Sequence, residues 1–281
     1  MLFAPIGSTH TYLIDRCGRQ VHSWVSPYMP GLGAQLGPDG SLYRSALIPN
    51  VAFNLAGGLG GRIEHYDWNG NLLWGFDVSN DSLCQHHDFT VLPNGNVIVI
   101  AWERHDSADA VLHGRDPAAT NAWVWSERFI ELQPVGTDSA VVVWQWRLWD
   151  HLVQHFAQGL SDYAVVSDHP ELVDLNQVHG PPPQYDWIHM NSVSYNADLN
   201  ELIMSSHTQN EVWIIDHSTT TAEAASHTGG ARGHGGDLLY RWGNPSTYGR
   251  GTNADKRLFG QHDATWIPAG HAHAGDILVF N

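Results

Sequence analysis

The sequence predicts an all-β fold, a β-propeller of four-stranded blades, on the strength of three observations. Residues 87–95 and 262–270 share a nine-residue pattern that begins with His-Asp and ends with Gly, and five of the nine positions are identical. Short segments of alternating polarity are separated by Gly, Asn and Asp turns along the chain. Trp, of which there are thirteen, recurs at the ends of strand pairs, as expected of a β-protein.

Each predicted blade combines two kinds of strand pair. One kind begins at the repeated histidine and ends in an aliphatic strand. The other has a polar turn and ends in Trp, at Trp24, Trp74, Trp146 and Trp242. Together they predict blades at about 32–78, 87–150 and 189–244, with the histidine strand innermost and Leu32 replacing histidine in the first blade. A half-blade remains at each end.

The whole chain, residues 1–281, is predicted to be one propeller domain. Two alternatives remain for its closure. Either the two half-blades combine into a fourth blade, or further blades follow Asn281 and the domain is incomplete at its C-terminus. The long segments 105–125, 151–186 and 217–236 are predicted to be loops over the propeller mouth, and 148–160 has the spacing of a short helix.

Three histidines occupy the same position of the repeated strand, namely His87, His189 and His262. Because equivalent residues of successive blades face the propeller axis, we expect these three side chains to converge there. The other histidines have no such register. Among them, His151 is predicted to be structural or at the surface, and His227 to lie in a solvated, glycine-rich loop.

Composition excludes several classes of function. A net charge of −16 argues against nucleic-acid binding, and the single Lys256 leaves little material for lysine chemistry. The sequence contains no run of 18 apolar residues, which a membrane-spanning helix would need. Cys17 and Cys84 lack metal-site spacing and are either a disulfide or two separate thiols. The first residues do not have the pattern of a signal peptide. The sequence therefore leaves the cellular compartment undetermined: either the protein is not exported, or its true N-terminus lies upstream.

Several motifs resemble those of the arylsulfotransferase family over essentially the whole chain: His86-His87-Asp88, Asp186-Trp-Ile-His-Met-Asn, Tyr240-Arg-Trp-Gly-Asn-Pro and Gln261-His-Asp. The resemblance implies a six-bladed propeller that transfers a sulfuryl group between phenols, without a nucleotide donor, through a transient sulfohistidine. Members of the family are usually periplasmic or exported and have longer chains. The resemblance therefore favours an incomplete six-bladed ring over a closed four-bladed one.

The resemblance also implies roles for individual residues. His262 matches the histidine that accepts the sulfuryl group, and His189 and His87 match two further site histidines. The family's site arginine follows a Ser-Ser pair, and here that pair is followed by His207. We therefore predict His262 as the nucleophile, His189 and His87 as oxyanion binders or general acids and bases, and His207 as a weaker substitute for the arginine.

The predicted substrates are an aryl sulfate donor and a phenolic acceptor, with no cofactor. Trp187 is predicted to stack on an aromatic ring, and Arg241 to restore positive charge. Asp263 is predicted to fix the tautomer of a neighbouring imidazole. Asn191, in the motif of His189, completes the predicted substrate-binding residues.

The same residues allow two alternatives. Four imidazoles, from His87, His189, His207 and His262, would suit one transition-metal ion such as iron, manganese, copper or zinc, and the histidine that replaces arginine favours this reading. The protein would then be a metal-dependent enzyme. The other alternative is a propeller that binds a ligand and performs no chemistry.

Overall fold

The computed structural model describes residues 1–54, 57–177 and 185–281. Strands dominate these residues, and only two short α-helices accompany them, α1 (Ser107–Leu112) and α2 (Thr221–Ala224). Short 3₁₀ turns occur at Val51–Phe53, Pro117–Ala119, Leu148–Asp150, Val166–Asp168, Pro245–Tyr248 and Asn253–Asp255. None of the described helices is long and apolar enough to cross a membrane.

The strands form a series of sheets along the chain. The first has three strands, β1 (Leu2–Phe3), β2 (His10–Ile14) and β3 (Gln20–Val25). The second consists of β4 (Pro30–Leu36), β5 (Leu42–Leu47), β6 (Gly61–Tyr66) and β7 (Leu72–Asp77). The third consists of β8 (Leu83–Val91), β9 (Val97–Asp106), β10 (Trp123–Val135) and β11 (Ser139–Arg147).

The remaining strands follow the same pattern after a break. A two-stranded parallel pair, β12 (Leu152–Val153) and β13 (Val173–Asp174), comes first. The fourth sheet consists of β14 (Met190–Asn196), β15 (Glu201–Ser206), β16 (Glu211–Asp216) and β17 (Tyr240–Trp242). The last pair is β18 (His262–Trp266) and β19 (Ile277–Phe280).

The predicted all-β class with propeller-type blades is confirmed. Within the described residues, three sheets have four strands in sequential order, and they coincide with the blades predicted at 32–78, 87–150 and 189–244. Sequential order arises because a short turn can join only neighbouring antiparallel strands. The strand of the repeated histidine is the first strand of its sheet, at one edge.

The chain divides into two compact units, residues 1–102 with 130–143, and residues 103–129 with 144–281. In the first unit, an apolar cluster joins residues of β6 to β10, including Ile63, Phe89 and Val99. In the second, Ile203 and Val212 of the fourth sheet pack against Ala264 of β18. Each fully buried aliphatic side chain of this kind stabilises the fold by about 1.5–3 kcal/mol.

Three of the four Trp residues at the ends of the strand pairs are buried, and all three donate an indole hydrogen bond to a backbone carbonyl oxygen. The indole Nε1 of Trp24 donates to the carbonyl oxygen of Asp67 at 2.8 Å. Trp74 donates to Ser139 and Trp146 to Gly236, each at 2.7 Å. Each indole thus reaches a turn or strand of a later sheet in the chain. Trp242 differs, because it is 45% exposed.

Three details correct or complete the predictions. The helix predicted at 148–160 is wrong: one 3₁₀ turn, Leu148–Asp150, is followed by β12, because parallel pairing with β13 overrides the local helical spacing. Cys17 and Cys84 are separate thiols, and burial raises the pKa of Cys84 to about 11. Part of the loop predicted at 151–186, residues 178–184, lies outside the described residues.

Candidate active site

The repeated histidine position has an unusual backbone conformation. Leu32, His87 and His189 have positive φ angles of 83°, 49° and 51°. In β4 and β14 the pairing register shifts close to this residue. Non-glycine residues in the left-handed region are rare, and such strain is concentrated at functional sites. The shared conformation supports the equivalence of these three positions that the repeat predicts.

The last copy of the repeat differs by one residue. In β18 the left-handed residue is Asp263, with φ of 54°, and not His262. The buried Gln85 of β8 and Gln261, just before β18, each precede the left-handed residue by two positions, and each side chain bonds backbone groups. By backbone conformation, His262 therefore corresponds to His86, one residue before the position that its sequence register indicates.

Three of the four predicted site histidines form a row in the second unit. The ring centroids of His189 and His207 are 5.4 Å apart, and those of His207 and His262 are also 5.4 Å apart. His189 and His207 are held together by their backbones, because the N–H of His207, just after β15, donates to the carbonyl oxygen of His189 at 3.1 Å. His87 belongs to the first unit, and its convergence with the other three remains a prediction.

His189 is the member of the row that pairs with a carboxylate. Its Nδ1 lies 2.6 Å from Oδ2 of Asp186. Burial lowers the pKa of His189, but the hydrogen bond and the charge of Asp186 outweigh it and raise the pKa. The pKa of His207 is lowered, first by burial and then by the neighbouring imidazoles of His189 and His262. Of these two imidazoles, His189 therefore holds a proton more readily than His207 does.

His262 presents a free nitrogen lone pair in its neutral form. Its Nδ1 lies 3.0 Å from the carbonyl oxygen of Gly260. A carbonyl oxygen only accepts hydrogen bonds, so that Nδ1 is the protonated nitrogen and Nε2 carries the lone pair. The side chain is exposed, which leaves Nε2 accessible. Such an imidazole is a nucleophile or a metal ligand.

Sequence reasoning missed a buried carboxyl group beneath His189. Glu127 of β10 is fully buried, and its Oε1 accepts a hydrogen bond from the backbone N–H of Met190 at 2.9 Å. Burial and the charge of Asp186 raise the pKa of Glu127 well above its ordinary value. Glu127 lies 63 residues from Met190 in sequence. The sequence carries no local signal for it, because β10 also contains the polar residues Ser126, Arg128 and Glu131.

The predicted substrate-binding residues have diverse environments. The side-chain amide of Asn191 donates to the carbonyl oxygen of Gln261 at 2.7 Å, which links β14 to the segment before His262. Trp187 is fully buried, with the guanidinium of Arg115 5.4 Å from its ring centroid. Arg241 lies on β17 in a 2.5 Å ion pair with Glu211. Asp263 is exposed beside His262.

In the described part of the chain, one group of three candidate metal ligands has all its donor atoms within 4.8 Å of one another, and it is His151, His227 and Asp237. The row of His189, His207 and His262 is not such a group. The four-histidine metal site therefore remains a prediction, and the geometry of the row gives it no further support.

Two solved structures are similar to this chain at low identity. Hydrazine synthase of Kuenenia stuttgartiensis has a TM-score of 0.49 and 14% identity, over 99% of this chain and 67% of that one. A streptogramin B lyase has a TM-score of 0.42 and 11% identity, over 94% of this chain and 68% of that one. None of the curated proteins matches the chain.

Comparison with protein families gives a clear assignment. The family model of arylsulfotransferase (ASST) matches residues 42–281, which include the second sheet from β5 onward, the third and fourth sheets, and all four predicted site histidines. Its members are transferases that act on small aryl substrates. The chain belongs to the arylsulfotransferase family.

Proposed function

We propose that this protein transfers a sulfuryl group from an aryl sulfate to a phenol, and that His262 carries the group between the two half-reactions. The row of three adjacent imidazoles, one of them hydrogen-bonded to a carboxylate, within a member of this family, is the observation that supports the proposal most directly. Sulfuryl transfer needs a nucleophile, a proton donor for the leaving phenolate and groups that stabilise the sulfuryl oxygens. The row offers one imidazole for each task.

In the first half-reaction, Nε2 of His262 attacks the sulfur atom of the donor. The N–S bond forms as the bond between sulfur and the phenolic oxygen breaks. His189, whose pKa is raised by Asp186, gives its proton to the departing phenolate. The products of this step are the free phenol and a sulfurylated His262.

In the second half-reaction, an acceptor phenol gives its proton to the now neutral His189. The phenolic oxygen attacks sulfur, the N–S bond breaks, and the electron pair returns to Nε2 of His262. The enzyme is thereby restored with His189 protonated. His207, neutral and between the two, donates a hydrogen bond to a sulfuryl oxygen where other family members use arginine, and His87 is the second predicted oxyanion binder.

The experiment follows 4-nitrophenyl sulfate with 1-naphthol as acceptor. We expect release of 4-nitrophenol, formation of naphthyl sulfate, and a mass increase of one SO₃ group on the peptide of His262 after a rapid quench. In H262A both transfer and labelling fall by at least about 1,000-fold. The control is H271A, because His271 is an exposed histidine of the β18–β19 hairpin.

The outcomes separate the alternatives. Transfer by the wild-type protein without a label on His262, or full transfer by H262A, contradicts the role of His262. Saturable binding of the aryl sulfate without transfer by the wild-type protein indicates a ligand-binding propeller. Transfer that disappears with chelator and returns with one metal ion indicates the metal-dependent alternative.

A further inference from the structure

We propose that His151, His227 and Asp237 bind one divalent transition-metal ion, best matched by zinc, at a site separate from the row of His189, His207 and His262. One donor atom from each of the three residues lies within 4.8 Å of the other two. Two imidazole nitrogens and one carboxylate oxygen are a set of ligands that zinc binds in proteins, with a fourth position left for water.

His151 is oriented as a metal-binding histidine usually is. It is fully buried, and its ring stacks on Trp146 at a centroid distance of 5.5 Å and an interplanar angle of 4°. Its Nε2 donates to the carbonyl oxygen of Ala224 at 2.8 Å. A metal-bound histidine almost always donates its second N–H to a carbonyl or carboxylate oxygen, which fixes the tautomer. Here this bond directs Nδ1 toward Asp237.

Asp237 stands between the two histidines. Its Oδ1 lies 2.8 Å from Nδ1 of His151 and 2.7 Å from Nδ1 of His227. Without a metal, each of these contacts needs a proton on the imidazole nitrogen, because a carboxylate oxygen only accepts. A divalent ion takes the place of these protons, and metal binding therefore releases them.

The two contacts with Asp237 require only a small outward movement of the imidazoles to admit the ion. Donor atoms on a tetrahedral zinc lie about 3.3 Å apart, since each is about 2.0–2.1 Å from the ion. The present contacts are about half an ångström shorter than this spacing. The side chain of His227 is 60% exposed in a loop, so that it can move outward, whereas Asp237 is 7% exposed and holds its position.

The three ligands come from separate segments that are packed closely together. His151 follows the 3₁₀ turn Leu148–Asp150, His227 follows α2, and Asp237 precedes β17. A Cβ atom at Gly236 would collide with the carbonyl oxygen of Ala224 and the ring of His151. The ion would join the insertion between β16 and β17 to the segment after β11. The net charge of −16 adds a long-range attraction for cations.

The experiment measures zinc binding by untagged protein that has been stripped with chelator. We expect about one equivalent of zinc after dialysis, with release of protons, and a rise in Tm of about 5 °C at a hundredfold excess of zinc over Kd. Cobalt should give visible bands of nitrogen and oxygen ligation without a thiolate charge-transfer band.

The variants assign the zinc to its ligands. H227A removes an exposed ligand with little effect on folding, and it should weaken zinc binding by at least about 100-fold. H234A, an exposed histidine of the same loop, should bind as the wild type does. H262A should also keep its zinc, because the row is a different site. Failure of the wild type to bind one equivalent, or wild-type affinity in H227A, overturns the proposal, and loss of zinc in H262A assigns the metal to the row instead.

Discussion

Replacing Glu127 with glutamine tests the buried carboxyl group that supports the backbone of His189. Glutamine retains an oxygen that accepts the hydrogen bond from the N–H of Met190, and it cannot ionise. The pKa of Glu127 is raised in the folded protein by burial and by Asp186. At a pH above the ordinary glutamate pKa, the wild-type protein therefore binds a proton in its folded state that the unfolded chain has released.

The sign of the pH effect follows from this difference. While the pH lies between the unfolded and the folded pKa, the folded state holds the extra proton, and the free energy of unfolding falls as the pH rises. The slope is about 1.4 kcal/mol per pH unit for one such group. Over that pH range E127Q should thus gain stability over the wild type as the pH rises, at a rate of up to about 1.4 kcal/mol per pH unit.

The assay is urea unfolding of both proteins at a series of pH values, since all other titrating groups cancel in the comparison. E127A should also lack the slope, but it should be less stable than E127Q by about 1–3 kcal/mol at every pH, because the N–H of Met190 is left unpaired. Parallel curves of the wild type and E127Q would refute the reasoning, as they would mean that the pKa of Glu127 is the same in both states.

Three further predictions follow from particular contacts. Burial opposes ionisation of Glu103, but its hydrogen bonds and ion pairs with His105 and Arg147 lower its pKa from 4.5 to about 2. The free energy of unfolding of E103Q should therefore be about 3 kcal/mol lower than that of the wild type at neutral pH, with a progressively smaller difference as the pH falls below 4.5 toward 2. An equal difference at every pH in urea unfolding would contradict this. D186N leaves burial as the main influence on the pKa of His189. The pKa of His189 should therefore fall in an NMR titration, and the basic limb of the pH–rate profile should move to lower pH. An unchanged titration of His189 would exclude the ion pair with Asp186 as the cause of the raised pKa. L32G should be more stable than L36G by about 1–2 kcal/mol in urea unfolding. Both leucines are about half exposed, but only Leu32 of this pair has a left-handed backbone, which glycine adopts without strain. Equal losses of stability in the two variants would argue against strain at residue 32.

Most of the fold could be predicted because its signals are local. Alternating strands, polar turns and terminal Trp residues repeat at short spacing, and sequential four-stranded sheets follow from them. The segment 148–160 shows the limit. Its helical spacing is overridden by the pairing of β12 with β13, about 20 residues later, and by the burial of His151.

The site could be predicted only in part. The motifs contain His189, His207 and His262, and these three do form a row in the structure. The one-residue offset of His262 is invisible in the sequence, because the letters His-Asp are the same in both copies while the left-handed residue is His87 in one and Asp263 in the other. Glu127 could not be predicted, since its role depends on tertiary packing against a strand that begins 63 positions later.

The indole hydrogen bonds of Trp24, Trp74 and Trp146 make the blades interdependent. Each bond joins one sheet to a later one, so that the protein resembles a chain of nearest-neighbour couplings, as in repeat proteins. A blade that loosens releases the indole or the carbonyl oxygen of its neighbour, and disorder spreads in steps. The link from Trp146 ends at Gly236, directly before Asp237. An ion held by Asp237 would therefore stabilise the blade as well as the loop, and stress on the loop would reach the blade by the same bond.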